Sequence, residues 1–223
     1  LPSQALVEPL GGPVQVIEAR PAHTRLAVKR AAVRSTVPPL DPAAGGYYTV
    51  QTPLAQVDVK GTVFTVADGA DGATTVSVTE GQVQVRPHGP RPDRTLGPGD
   101  VLVLEPVTAE GAERAYARED WAQAGLIWRL LAGRLAADPL AAENALLTAG
   151  RRLAVAPPAV QVTHWRHVAG FQGHRQGVHA EETLFRLGEA LSRAGEAAEA
   201  AETGARFRRR YPHSPRAELT KEW

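Results

Sequence analysis

The sequence contains no cysteine and no methionine. Without cysteine there is no disulfide, no thiolate nucleophile and no thiolate-bound metal. A chain that folds in an oxidising compartment has reason to avoid stray thiols. With no methionine even at position 1, the expectation is a sequence that begins inside a longer product, after a removed signal or anchor. Lysine is scarce, found only at Lys29, Lys60 and Lys221, so the 25 basic residues are overwhelmingly arginine. With abundant alanine, glycine and proline, that preference reads as the coding bias of a GC-rich bacterial genome. Aromatic residues make up only 5% of the chain, leaving few stacking platforms. No stretch approaches the ~18–20 apolar residues that a spanning helix needs.

What is present is the composition of a folded protein. The 223 residues allow one or two domains. Hydrophobic residues at 43% supply a core, and 22% charged residues argue against wholesale disorder. A formal net charge of +1, from 25 basic and 24 acidic residues, excludes a chain that wraps nucleic acid along its length.

The hydrophobic pattern changes period midway. From Pro13 to about Val107 it alternates, with β-branched residues and Gly/Pro punctuation. Residues 13–19, 54–60, 62–67, 74–79, 82–86 and 101–107 are predicted strands, separated by turn signals that include Gly61, Gly81 and Gly99. Such short strands build a sandwich, a barrel or a solenoid. The Pro/Ala/Gly-rich segment 34–46 and the stretch His88–Asp93 are predicted loops. After about Glu110 the spacing is helical. Residues 118–137, with Trp121, Leu126, Trp128, Leu131 and Leu135 in phase, are predicted as one helix. Asp138 and Pro139 read as the cap and first residue of the next, over 140–155. Further helices are predicted over 162–177, 180–194 and 196–211. The expected fold class is α+β in separate domains: an all-β domain over 1–110, twisted solenoid or sandwich, and an all-α domain over 111–223. The Trp121/Trp128 face is the expected seam between them.

Residues 48–104 resemble the core of FecR-family domains. The matching pieces run in order: Gly61-Thr62-Val63-Phe64-Thr65-Val66, then Glu80-Gly81-Gln82-Val83-Gln84-Val85, then Leu96-Gly97-Pro98-Gly99. The resemblance implies a periplasmic module that senses or transmits a signal through protein contacts. The family's best-known members regulate an extracytoplasmic sigma factor. The cytoplasmic anti-sigma segment and membrane helix that precede the domain in those regulators are not among these residues. The regulator role therefore ranks here as an alternative. Read as chemistry alone, Gly61, Gly81 and Gly99 are structural turn positions, and Phe64 is an expected core plug.

Residues 181–214 resemble a tetratricopeptide-type helical repeat. With Glu181 at the first position, Leu184, Leu187, Gly188, Leu191, Ala200, Phe207 and Pro212 fall on the repeat's patterned positions. Small Gly188 and Ala200 are expected to let the paired helices approach, while Leu191 and Phe207 fill the seam. The resemblance implies a groove that holds other proteins.

Candidate chemistry is sparse. His164, His167, His174 and His179 are the one concentration of metal-ligand types, but their spacing matches no zinc signature, and they read as surface or groove histidines. Ser3, Ser35, Ser77, Ser192 and Ser214 include no nucleophile elbow. Asp58 and Glu80 read as strand-edge or turn carboxylates. No catalytic residue, cofactor or metal site is therefore expected. Arg206, Arg208, Arg209 and Arg210 sit where a helix C-terminus favours positive charge, and they are the candidate partner-binding cluster. The sequence thus points to a non-enzymatic scaffold or signal-transmitting module of the bacterial envelope. Its expected partners are envelope proteins held in the helical groove, with peptidoglycan or polysaccharide as a further alternative. No nucleic acid is expected, and membrane contact only through an anchor outside the chain.

Overall fold

Alternation of inward apolar and outward polar side chains drives the first half of the chain into two facing sheets. The computed structural model describes residues 5–20, 23–40, 46–135, 137–172 and 179–223. It divides into two units, residues 1–106 and 107–223. The first is all strand: β1 (Leu6–Gly11), β2 (Val14–Arg20), β3 (His23–Val28), β4 (Ala32–Val37), β5 (Tyr47–Gln51), β6 (Ala55–Val59), β7 (Thr62–Asp68), β8 (Thr74–Glu80), β9 (Val83–Pro87), β10 (Arg94–Leu96) and β11 (Val101–Leu104). A five-stranded sheet runs β1-β4-β7-β8-β11, and a six-stranded sheet runs β10-β9-β6-β5-β3-β2. All pairs are antiparallel except β3 with β5. The arrangement is an open two-sheet sandwich.

One core fills the space between the sheets. Val33, Phe64, Val66 and Val76 come from one sheet and Leu26, Val50, Val57 and Val85 from the other. Phe64 is fully buried and meets Tyr48 edge-on, with ring centroids 6.1 Å apart. The Tyr48 hydroxyl shares a 2.8 Å hydrogen bond with Ser35 Oγ on the opposite sheet. Burial pushes the Tyr48 phenol up to about 12, so it stays neutral.

The chain changes sheet repeatedly, and two of these crossings stack on each other. Gly61 carries it from β6 to β7, and Gly81 from β8 to β9. Gly81 has φ +77°, and a Cβ there would lie 2.5 Å from the Gly61 carbonyl oxygen. No other residue type fits that position. Between the crossings, Thr62 Oγ1 donates to the Gln82 carbonyl at 2.9 Å and accepts from the Gln82 N–H at 3.3 Å. Gly99 (φ +84°) turns the chain from β10 into β11, and its N–H donates to the Val78 carbonyl.

Five strands lie where no strand was expected: β1, β3, β4, β5 and β10. The most instructive is β4, most of which falls in the predicted loop 34–46. Its prolines come just after the strand, and its inward positions are Val33, Ser35 and Val37. The serine interrupts the apolar alternation because its hydroxyl is the partner of Tyr48. Residues 41–45 of that predicted loop lie outside the described residues.

The second unit is all helix: α1 (Ala109–Ala117), α2 (Trp121–Arg134), α3 (Pro139–Arg152), α4 (Pro158–Gln172), α5 (Ala180–Arg193) and α6 (Ala197–Arg210), with a short 3-10 turn at Glu218–Glu222. Each helix packs on the next. The helix expected over 118–137 is α2, and α1 precedes it where no helix was expected. Glu119 turns at φ 59°, and the Asp120 side chain caps α2 at Gln123 N–H. The buried face of α2 is Ala124, Gly125, Ile127 and Ala132 rather than the bulkier residues in phase with Trp121. Ala124 and Ile127 pack with Ala112 and Ala115 of α1, Ala132 joins the core of the later helices, and Leu153 closes on Gly125. Trp121 and Trp128 both set their rings against Tyr116 of α1. Leu135 is exposed. Asp138 caps α3 at Ala141 N–H, with Pro139 in the first turn. Pro158 opens α4, four residues earlier than the pattern indicated, because proline suits a first turn. The predicted end of that helix, 173–177, lies outside the described residues.

The last hairpin uses its small residues differently from the expectation. A Cβ on Gly188 would lie 2.0 Å from the Trp223 indole, so Gly188 makes room for the C-terminal tail and not for the partner helix. Trp223 also meets Phe185, at 5.3 Å between centroids. Leu187, Leu191 and Ala200 belong to the core shared with α3 and α4. Leu184 and Phe207 form a second cluster with Phe185 and Ala217. Pro212 is exposed just beyond α6, where it stops the helix instead of packing.

Two outcomes follow from this packing. Gly188→Ala is expected to expel Trp223 and cost about 1–3 kcal/mol in urea unfolding. The same change in a Trp223→Ala background should cost nothing; equal costs in both backgrounds would refute the arrangement. The second concerns His164, fully buried in α4 with Nε2 2.9 Å from the Leu146 carbonyl. Burial pushes its pKa down to about 4 from 6.5. The unfolded chain therefore binds the extra proton between those values. The contribution is full above pH 6.5 and is lost as pH falls toward 4, on the order of 3 kcal/mol in total. His164→Gln should flatten the fall in urea midpoint across that window; parallel pH profiles for the two proteins would show that His164 is not responsible.

Candidate functional site

On a strand whose even positions are buried, the odd positions form the outer face, and register decides which of them become neighbours. Across the six-stranded sheet the register sets Thr95, Gln84, Asp58, Thr49, Arg25 and Glu18 in one continuous row. Gln56 and Arg86 pair on one side of this row, and Tyr47, His23 and Arg20 lie on the other. Between these rows, Val85, Val57, Val50 and Leu26 point into the core. The outer face is thus polar from edge to edge, and it is concave. A depression of about 550 Å³ is lined by residues of β3, β5, β6, β9 and β10.

Two hydrogen-bonded groups organise the depression. At its centre Asp58 Oδ1 accepts from Thr49 Oγ1 and Gln56 Nε2, both at 2.9 Å, and Oδ2 lies 3.1 Å from Arg86 Nη1. Arg86 also donates to Gln84 Oε1 at 3.3 Å. At one end the Tyr47 ring stacks on His23, with centroids 4.3 Å apart, and the Arg25 guanidinium sits 6.0 Å from the Tyr47 ring. The Tyr47 hydroxyl donates to Glu18 Oε2 at 2.8 Å, and that hydrogen bond to a carboxylate is the main reason its pKa is raised. Lys60, exposed, completes this end. The arrangement presents cations, amides and hydroxyls around one carboxylate.

Asp58 is therefore not the strand-edge carboxylate that its sequence position suggested. It lies on an interior strand, while Glu80 ends β8. The predicted loop His88–Asp93 is tied down: His88 N–H donates to the Leu54 carbonyl, and Arg91 donates to the Glu105 carbonyl.

In the helical unit the candidate partner cluster separates. Arg208 donates to the Thr220 carbonyl at 2.6 Å and to Thr220 Oγ1 at 3.0 Å, which anchors the C-terminal tail. Arg206, Arg209 and Arg210 are exposed, with Arg210 over the Tyr211 ring. A second feature that the sequence did not bring together is a groove of about 290 Å³ containing Arg151, Arg186 and Arg193 beside Glu189, Gln161 and Trp165, with Arg186 paired to Glu189 at 2.9 Å. Arg151 holds Glu182 bidentately, at 3.1 and 2.7 Å, which draws the Glu182 carboxyl below its usual range. Among the histidines, His164 is engaged with Leu146, and His179 Nε2 lies 3.0 Å from Asn144 Oδ1. His174 lies outside the described residues. Among the described residues no three metal-ligating side chains converge. No described helix is long and apolar enough to cross a membrane.

Two crystal structures of candidate anti-sigma factors from Parabacteroides distasonis are similar to this chain. One is 22% identical over 47% of this chain and 52% of its own, with a TM-score of 0.36. The other is 19% identical over 44% and 60%, with a TM-score of 0.31. The chain thus spans little more than half the length of either. No curated protein matches it. The family model described as FecR protein matches residues 13–84, from the start of β2 into β9, and this stretch of the sandwich is a FecR-family domain.

Proposed function

We propose that the chain is the extracytoplasmic, non-enzymatic part of a FecR-type regulator, a module that receives a signal in the bacterial envelope and passes it on through protein contacts. The observation that carries this reading is the FecR-family match over residues 13–84, which falls on the strands that build both sheets and the polar face. The chemistry agrees. The side chains of the polar face are held to one another in hydrogen bonds suited to recognition.

The helical unit is the protein-holding part. Its groove gathers Arg151, Arg186 and Arg193 with Glu189 and the edge of Trp165; Arg186 is matched to Glu189 and Arg151 to Glu182, which leaves Arg193 as the cation for an acidic side chain of a partner. The exposed Arg206, Arg209 and Arg210 add further positive charge at the end of α6. A general scaffold in the envelope is the second reading, favoured by the same groove if the partner is structural rather than regulatory.

The test is genetic. Phe64→Asp, placed in the chromosomal gene, destroys the sandwich core without touching the helices. A set of genes sharing one promoter class should then change several-fold together in a transcript profile. An unchanged profile, with the full-length protein still present, would sink the regulator reading and leave the scaffold.

A further inference from the structure

We infer that the depression on the six-stranded sheet is a binding site for a carboxylate-bearing saccharide. This does not rest on the regulator reading, because a ligand can be bound by this face whatever lies downstream.

Size comes first. A depression of about 550 Å³ is within the range of small-ligand sites, about 300–1,000 Å³. Charge comes second. The lining contributes the cations Arg25, Lys60 and Arg86 against the single carboxylate Asp58. Arg86 is matched to Asp58. Glu18, the cross-strand neighbour of Arg25, has its two oxygens on Tyr47 and Arg20. Arg25 Nε is shielded from water and has no acceptor in the protein. One end of the depression therefore holds positive charge in excess and favours an anionic group on the ligand.

The middle of the depression selects against a simple anion. Asp58 stands at the centre of the depression, where it would repel phosphate or sulfate. Its Oδ2 accepts no hydrogen bond of good geometry, although it is buried. Around it are the Arg86 guanidinium and the amides of Gln56 and Gln84. A carboxylate flanked by donors is what a pair of neighbouring sugar hydroxyls requires, since each hydroxyl both donates and accepts. A peptide is less well served. The strands beneath the depression, β3, β5, β6 and β9, are interior strands whose backbone groups are already paired, so no strand can be added there. Recognition must come from side chains alone, from a cationic end and a hydroxyl-reading middle.

The test is a chemical-shift titration of the whole chain with three probes: glucuronic acid, glucose and inorganic phosphate. Glucuronic acid should shift amides of β3, β5, β6 and β9 saturably, at least about tenfold more tightly than glucose, the ratio expected of one added charge-assisted contact. Arg25→Gln should erase most of that ratio. Gln84→Ala, at an exposed position, should weaken both sugars alike. Circular dichroism and thermal unfolding confirm that each variant is folded. Competition by a uronic-acid polymer or by soluble peptidoglycan fragments would identify the source of the sugar, and either supports the assignment. No saturable shifts on this face, a response to phosphate equal to that for glucuronic acid, or a ratio unchanged in Arg25→Gln would each overturn it.

Discussion

The stacking of two sheet-crossing turns governs the strand unit. Gly61 and Gly81 each move the chain from one sheet to the other, and the carbonyl of the first fills the space where a side chain on the second would be. Thr62 clips the two together through the backbone of Gln82. This contact brings β6 beside β9, although β7 and β8 intervene in sequence within the other sheet. Once β6 and β9 are neighbours their register follows from the inward valines, because a slip of one residue would turn Val57 and Val85 outward. The polar row across the sheet is the outward consequence of that inward constraint. Asp58 meets Gln84 and Thr49 because Val57 must meet Val85 and Val50.

The helical unit solves its packing through close fits of rings against small residues. Trp223 occupies the space that Gly188 leaves open, and Arg208 holds the tail through Thr220. His164 is the polar exception in this core. It is kept neutral by burial and satisfied on one nitrogen by the Leu146 carbonyl, while Nδ1 has no partner. Such a group makes the unit sensitive to mild acid, because an imidazolium cannot be hydrated there.

Much of the architecture was legible in the sequence because two periods of hydrophobicity are distinct from each other. The strands whose inward residues alternate cleanly with polar ones, such as β6, β7 and β9, declared themselves, and so did α3, which Asp138 caps ahead of Pro139. Strand β4 stayed hidden because its central inward residue is Ser35, whose burial makes sense only once Tyr48 is opposite. Helix α1 went unread although Thr108 caps it at Gly111 N–H, because its buried residues are only Gly111, Ala112 and Ala115, too small to mark a hydrophobic stripe. The polar face was half visible. The alternate residues of QVDVK and QVQVR are plainly outward, yet nothing local says that those two strands adjoin. Three of the four arginines at 206–210 are exposed, but the groove residues Arg151, Arg186 and Arg193 come from separate helices, and only tertiary packing gathers them.

On this packing the crossing turns lock both sheets into one cooperative unit. Native-state hydrogen exchange on the wild type and on Gly81→Ala tests this directly. The substitution forces an unfavourable φ and a backbone clash, which should cost about 1–3 kcal/mol. If the claim is right, protection at Val57 and Val85 in one sheet and at Val66 and Val76 in the other falls by the same amount. A loss of protection confined to β8 and β9, with the remaining strands unchanged, would show that the turns are local features and that the sheets are held together by other means.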